Sequence, residues 1–473
     1  MRAVDQEAAL FTGPREEDVM AEKIREDKIT RHLDRLSEAL DSGTQQQVRH
    51  LLKNLSAAEI GDLLESLPPA KRLAVWNMTD PELEGDVLVD VNDEVRAGLI
   101  RGTSPEDLVA AVDDLDLDDL ADILDDLPDP VISEVLRSMD RQERERLAQV
   151  LSYPEDSAGG LMDPDVITIR PDVSLDVVLR YLRVRGELPE VFDLLFVTDR
   201  QGSFLGNLKI SDLLTRKVTD AVGDLMDTSA RTIPVDMHES QVAMEFEHHD
   251  LVSAPVLGDD NRLLGRITID DVVDVMRDEA EHTVLTMAGL DEEEDMFAPV
   301  IQSARRRWVW LGVNLVTALL AAMVLYAFEA TLDEIVATAV LFPIVMSMGG
   351  IAGTQTLTLM IRGMATGQVS ARNTPDLLRK ELAVGLLNGI LFSVLIGAVA
   401  IFWYDDALLG LVIAAAILLN LLVGALAGAL VPVILKRMSI DPALAGGVVL
   451  TTVTDVVGIL AFIGLATFIL LGH

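Results

Sequence analysis

At 473 residues the chain is long for one domain, and a size of roughly 150 residues per domain divides it into about three units. Its 77 Asp and Glu against 38 Lys and Arg give a formal charge of −39, which repels nucleic acid and anionic lipid and makes cations the natural partners. Cysteine is absent, so disulfides, thiolate metal sites and thiol catalysis are excluded.

The charge is uneven along the chain. Positive and negative residues balance from Arg305 onward, so the whole excess lies before it. An acidic region of this kind suits either a domain that holds cations or a protein bathed in concentrated salt, and composition does not separate the two. Residues 1–30 have no apolar h-region and are expected to be a soluble lead-in with little order, not a signal peptide. Residues 31–157 place apolar side chains at helical spacing, as in DLLESL, DDLADILDDL and ISEVLRSM, broken by SPE and LPD, which predicts an acidic superhelix of short helices.

From Ala158 the texture changes to short β-rich runs, VITI, LLFVTD and RLLGRITI, alternating with helical patterns. LMD at Leu161 returns at Leu225, and Leu205-Gly206 returns as Leu264-Gly265, offsets of 64 and 59 residues. Two tandem β-α-β-β-α modules are predicted, over 158–219 and 220–277. A strongly charged connecting helix is expected over 278–304, with DEEED near its middle.

Residues 305–473 form the membrane part. Spanning hydrocarbon takes about 20 apolar residues as a helix, and five stretches qualify: Trp308 to Phe328, Ile335 to Ile361, Leu382 to Trp403, Leu408 to Leu435 and Ala443 to Leu471. Lys and Arg collect before span one, between spans two and three, and between four and five, while FEATLDE and WYDD carry only acids. This alternation puts the N-terminus in the cytoplasm and the C-terminus outside, in a multi-pass protein of the inner membrane.

Span two contains PIVMSMGGIAGTQ, where Pro343 removes a backbone donor and Gly349, Gly350 and Gly353 lower the cost of leaving the helix. An unwound helix at membrane depth would line a cavity and offer carbonyls to a cation. The same glycines would equally serve close helix packing. Span five contains LTTVTDVVG, with Asp455 deep in an otherwise uncharged helix and Thr451 one turn away. A charge so placed costs about 3 kcal/mol on insertion scales and marks an ion or proton path. The competing role is a neutral carboxyl bonded to a neighbouring threonine. Mg²⁺ takes oxygen ligands and keeps its water, and on a dimer axis two copies of Asp455 would be relieved of their repulsion by a divalent ion.

In the cytoplasmic part, Asp118, Asp119 and Asp122 fall near one helical face, and like charges at this spacing destabilise a helix unless cations screen them. Asp270, Asp271, Asp274 and Glu279 close the second repeat in the same manner. Either these are solvated surfaces or two acidic faces meet around divalent cations. His248-His249 lacks metal-ligand spacing, and neither a P-loop nor GxSxG is present, so an enzyme or an ATP-driven pump is not expected.

With these residues assembled, the chain resembles the MgtE-type magnesium channels from about Leu51 to its end. YPEDSAGGLMDP is similar to that family's entry into tandem cystathionine-β-synthase (CBS) domains, PxxxxxGGxxGxQ to its pore helix, and DPALA followed by TDVVG to its last helix. The resemblance implies a homodimer in the bilayer whose pore is lined by Pro343, Gly349, Gly350, Gly353 and Gln355 of span two and by Thr451, Thr454 and Gly458 of span five, around Asp455. It implies Mg²⁺ as both cargo and regulator, with Asp118, Asp119, Asp122, Asp270, Asp271, Asp274 and Glu279 as sensors, the connector as plug, and adenine nucleotide as a further CBS ligand. Departures from the family pattern are Ile351 and Thr354 in the glycine motif, Gly446-Gly447-Val448 after DPALA, and His282-Thr283 beyond Glu279. The rival readings are a proton- or Na⁺-coupled metal exchanger using Asp455, and a membrane-anchored nucleotide sensor.

Overall fold

The computed structural model describes residues 36–471 except 37, 41–44, 114, 187, 190, 291–294 and 371, so the expected lead-in over 1–30 lies outside the described residues. Two compact units are present, Met1–Glu279 with Glu293–Pro299, and Ala280–Glu292 with Val300–His473.

The first unit opens with short helices: α1 (Gln45–Leu52), α2 (Ala57–Glu65), α3 (Pro69–Trp76), α4 (Glu84–Asp90), α5 (Asp93–Gly102), α6 (Pro105–Val112), α7 (Leu117–Leu124), α8 (Asp129–Ser138) and α9 (Arg141–Val150). Local chemistry sets their starts. Ser56 and Glu59 close a capping box on α2, Asp140 and Glu143 another on α9, and Pro69 and Pro105 occupy first-turn positions where a missing N–H costs nothing. Most of these helices pack on a next-but-one neighbour, α2 on α4, α3 on α5, α4 on α6, α6 on α8 and α7 on α9, which is a superhelix. Ile60, Leu64, Trp76, Leu88, Leu99 and Ile123 run through one continuous core.

Two repeats follow: β1 (Thr168–Ile169), α10 (Leu175–Arg185), β2 (Leu194–Thr198), β3 (Phe204–Lys209) and α11 (Ile210–Thr215), then, after the short α12 (Val222–Leu225), β4 (Ile233–Pro234), α13 (Glu239–His249), β5 (Ser253–Leu257), β6 (Leu263–Thr268) and α14 (Ile269–Met287). In each sheet the first strand pairs parallel with the second and the second antiparallel with the third, and both carry a register shift at the equivalent place, Val197/Thr198 and Val256/Leu257. The tandem β-α-β-β-α reading therefore holds strand by strand.

The connector expected as one helix over 278–304 is corrected. Its first part is the end of α14, which stops where Gly289 adopts φ 72° and Leu290 N–H donates to the Leu285 carbonyl. A left-handed glycine with this bond is a standard helix stop. Residues 300–304 begin a different helix.

In the second unit, five helices are long and apolar enough to cross a membrane: α15 (Val300–Tyr326), α17 (Val336–Ala365), α18 (Thr374–Tyr404), α19 (Ala407–Arg437) and α20 (Pro442–Ile459), with the short α16 (Glu329–Glu334) after the first. The chain beyond α20 continues in wider π turns, Leu460–Gly464 and Thr467–Leu471. The central helix is α19, packed against α17, α18 and α20. The expected unwinding of span two does not occur, because α17 is continuous with Pro343 inside it. Its glycines serve packing instead. A Cβ on Gly424 of α19 would lie 2.6 Å from the Gly349 carbonyl, and one on Gly428 2.4 Å from that of Gly353, so the two backbones meet where only glycine fits.

Candidate functional site

Span five turns one face away from the bundle. Leu444 and Thr451 are exposed, Gly447 and Asp455 half-buried along the same stripe, and an added Cβ on Gly447 would meet nothing within 4 Å. The side bordering that stripe is closed: Thr454 is fully buried with its hydroxyl on the Leu450 and Thr451 carbonyls, and Gly458 is buried. Of the expected lining residues in this helix, Asp455 and Thr451 thus share the open face, whereas Thr454 and Gly458 belong to the packed one.

Span two divides in the same way. Gly349 and Gly353 are buried against α19, while Pro343, Ser347, Ile351, Thr354, Gln355 and Thr358 are exposed and Gly350 is half-buried with open space before it. The helices run antiparallel in close register, since Met346 lies against Gly458, Leu450 against Gly353, and Leu357 against Gly446. Asp455 therefore sits near the height of Ser347 and Gly350, and Thr451 near Thr354.

The hydroxyls on these faces are already oriented. Thr354 Oγ1 donates to the Gly350 carbonyl at 2.9 Å and Thr451 Oγ1 to that of Gly447 at 2.8 Å. A hydroxyl whose proton is held by its own helix presents lone pairs outward. Together with the Asp455 carboxylate, the face offers acceptors, which is what the water shell of a hydrated cation requires.

Two polar residues in the bundle were not singled out from the sequence. Asn420 of α19 is fully buried, with Nδ2 donating to the Val345 carbonyl of span two at 2.9 Å. Glu381 lies within α18, is 5% exposed, and accepts from Thr356 Oγ1 at 3.1 Å. Asp455 is therefore not the lone carboxylate inside the spanning helices. Near the start of span five, His282 Nε2 approaches Asp441 Oδ2 at 3.6 Å, and Asp441 also caps the helix by accepting from Ala443 and Leu444 N–H.

The cytoplasmic acids gather around α7 and the first turns of α14. Asp118 is 8% exposed, and its Oδ1 has no hydrogen-bond partner. Burial, then Asp163 and Asp271, push its carboxyl well above the usual range. Burial followed by Asp271 and Asp116 raises Asp119 to about 7. Asp271 is raised to about 6 by burial, although Thr268 N–H donates to it at 3.0 Å. Asp122 rises to about 6 through desolvation and Glu155, against Arg96. Asp274 is raised by desolvation and held down by Arg277, and Asp90 of α4 is raised to about 6 by burial and then by Asp274. Asp270 and Glu279 are exposed.

Among the described residues no three His, Asp or Glu side chains are placed as a ready metal-ligand set. The orphaned Asp118 oxygen and the mutual repulsion still fit a divalent cation, because the donors are all oxygen and the acids outnumber Arg96, Arg266 and Arg277 beside them. Asp90, Asp116 and Asp163 join this cluster and were missed from the sequence. Asp163 stood in the recurring LMD, but its ion pair with Arg266 at 3.0 Å crosses 103 residues.

Comparison with known proteins follows these boundaries. A divalent cation transporter family, MgtE, matches residues 342–465, the MgtE intracellular N domain matches 55–156, and CBS domains match 158–218 and 222–278. The magnesium transporter MgtE of Thermus thermophilus is 30% identical over 92% of this chain and 98% of its own length. That of Bacillus subtilis is 27% identical over 90% and 95%. A crystal structure of the cytosolic domain of the Mg²⁺ channel MgtE in complex with ATP shares 28% identity, covering 51% of this chain and 99% of that one, with a TM-score of 0.47.

Proposed function

The chain belongs to the MgtE family of divalent cation transporters, and from that premise we propose that it is a Mg²⁺-gated channel for divalent cations, Mg²⁺ first among them, mediating uptake across the cytoplasmic membrane. The carrying observation is the acceptor face of Asp455, Thr451 and Thr354 on two antiparallel spans at matching heights. A strongly hydrated ion needs acceptors for its water more than a closed cage of ligands. Because this face points out of the single chain, a two-fold dimer would set two such faces around one path, with a divalent ion between the Asp455 carboxylates. The N-terminus is cytoplasmic and the C-terminus outside in this arrangement.

Gating is assigned to the acids of α7 and α14. Internal Mg²⁺ would neutralise Asp118, Asp119, Asp122, Asp270, Asp271, Asp274 and Glu279, tightening the cytoplasmic part and closing the path. Adenine nucleotide at the CBS pair is proposed by similarity to the ATP-bound cytosolic domain. Binding of ATP to the full chain, followed calorimetrically, checks it.

The deciding experiment is flux into vesicles reconstituted with the full chain, across Mg²⁺, Mn²⁺, Co²⁺ and Ca²⁺. Asp455→Asn and Asp455→Ala are expected to abolish Mg²⁺ flux while the protein still inserts; wild-type flux in both removes the proposal. Currents that require a proton or Na⁺ gradient would instead support the coupled exchanger.

A further inference from the structure

We propose that Asn420 is a positioning residue for ion passage, fixing the separation between the Val345–Gly349 turn of span two and the Asp455–Gly458 turn of span five. The proposal rests on the transport reading above and assigns it a residue on a third helix. Asn420 is fully buried in α19, the helix that packs against both spans. The Val345 carbonyl can only accept, which fixes the amide with Nδ2 toward span two at 2.9 Å.

The amide fits because two glycines make room for it. A Cβ on Gly349 would lie 2.2 Å from Asn420 Nδ2, and one on Gly458 2.9 Å from the same atom. Gly458 stands three residues after Asp455, within one turn of the same helix, so whatever fixes Gly458 also fixes the height and rotation of the carboxylate. The other half of the amide is unsatisfied, since Asn420 Oδ1 has no hydrogen-bond partner. An apolar side chain of the same size would fill the space without that unmet acceptor, and packing alone would favour it. The polar group is explained by what its nitrogen holds.

The test uses the full chain in vesicles and detergent. Asn420→Leu removes both the bond and the orphaned oxygen while keeping four side-chain heavy atoms, its methyls being bulkier than the amide. Its thermal stability is expected to stay near wild type, the lost orphan offsetting the tighter fit, while Mg²⁺ flux falls about tenfold and the preference for Mg²⁺ over Ca²⁺ narrows. A residue that only packs would leave rate and preference unchanged. Asn420→Thr, close to asparagine in volume and carrying a hydroxyl donor, is expected to keep more Mg²⁺ flux and preference than Asn420→Val, which has the shape of threonine without the donor. Should Asn420→Leu fail to fold, this pair decides the matter, and equal flux and preference in the two overturns the proposal. Asp455→Asn in parallel separates the two failures. A silent wild type sinks the transport reading and this role with it; an active wild type matched by Asn420→Leu in rate and preference sinks the positioning role alone.

Discussion

A methyl group added at Gly349 would meet Asn420, and one added at Gly353 would lie 2.7 Å from Leu450 Cδ1 and 3.1 Å from the Gly424 carbonyl, whereas at Gly350 and Gly447 it would meet nothing within 4 Å. Neighbouring glycines of one motif therefore do different work. Gly349→Ala and Gly353→Ala are expected to destabilise the membrane part by about 1–3 kcal/mol through overpacking, read as lower melting temperature in detergent. Gly350→Ala and Gly447→Ala are expected to keep that temperature and alter flux. The sequence placed Gly349, Gly350 and Gly353 in reach of the path through their motif spacing, and Gly447 stood out only as a departure in span five. Which of them turned inward was not legible, since that depends on where α19 lies.

Among the elements, the segment after α14 is tied down by a contact 223 residues apart in sequence. Arg72 grips Asp295 with two bonds, at 2.8 and 3.0 Å, while its Nε donates to the Leu64 carbonyl, and both side chains are about 5% exposed or less. Asp295→Ala would leave a buried guanidinium unpaired and is expected to cost about 3–5 kcal/mol, while Arg72→Met combined with Asp295→Leu costs less, by chemical denaturation. Helix α7 supplies a pH dependence. Asp119 at about 7, and Asp122 and Asp271 at about 6, hold protons in the folded state that an unfolded chain, near 3.8, has already released. Folded carboxyls raised in this way lose stability as pH rises from about 4 to about 7. Protection factors over Leu117–Leu124, with the intrinsic pH dependence of amide exchange divided out, are expected to be higher at pH 5 than at pH 8 without metal, and millimolar Mg²⁺ at pH 8 to restore them. Equal protection factors at both pH values remove the electrostatic strain from the gating scheme.

For the whole molecule, the absence of cysteine gives a clean background for reporters. With Glu334→Cys or Tyr404→Cys, a membrane-impermeant maleimide is expected to label from outside intact cells, and with Thr366→Cys or Lys436→Cys only after lysis. The reverse pattern would invert the topology and set the acidic domains on the wrong side to sense internal Mg²⁺.

The sequence by itself determined the periodic features: five spans, because hydrocarbon demands an unbroken apolar length; tandem modules, because a repeat survives in LMD and Leu-Gly spacing; and Asp455, because a charge in an apolar helix is conspicuous. It also led astray where a local pattern had two physical outcomes. Pro343 and the glycines predict unwinding and packing alike, and the charged run over 278–304 reads as one helix until Gly289 turns left-handed. Only the tertiary structure decided these, and only it could find Asn420, Glu381 and Arg72 with Asp295. A buried polar group is defined by its partners, and those partners lie on other helices.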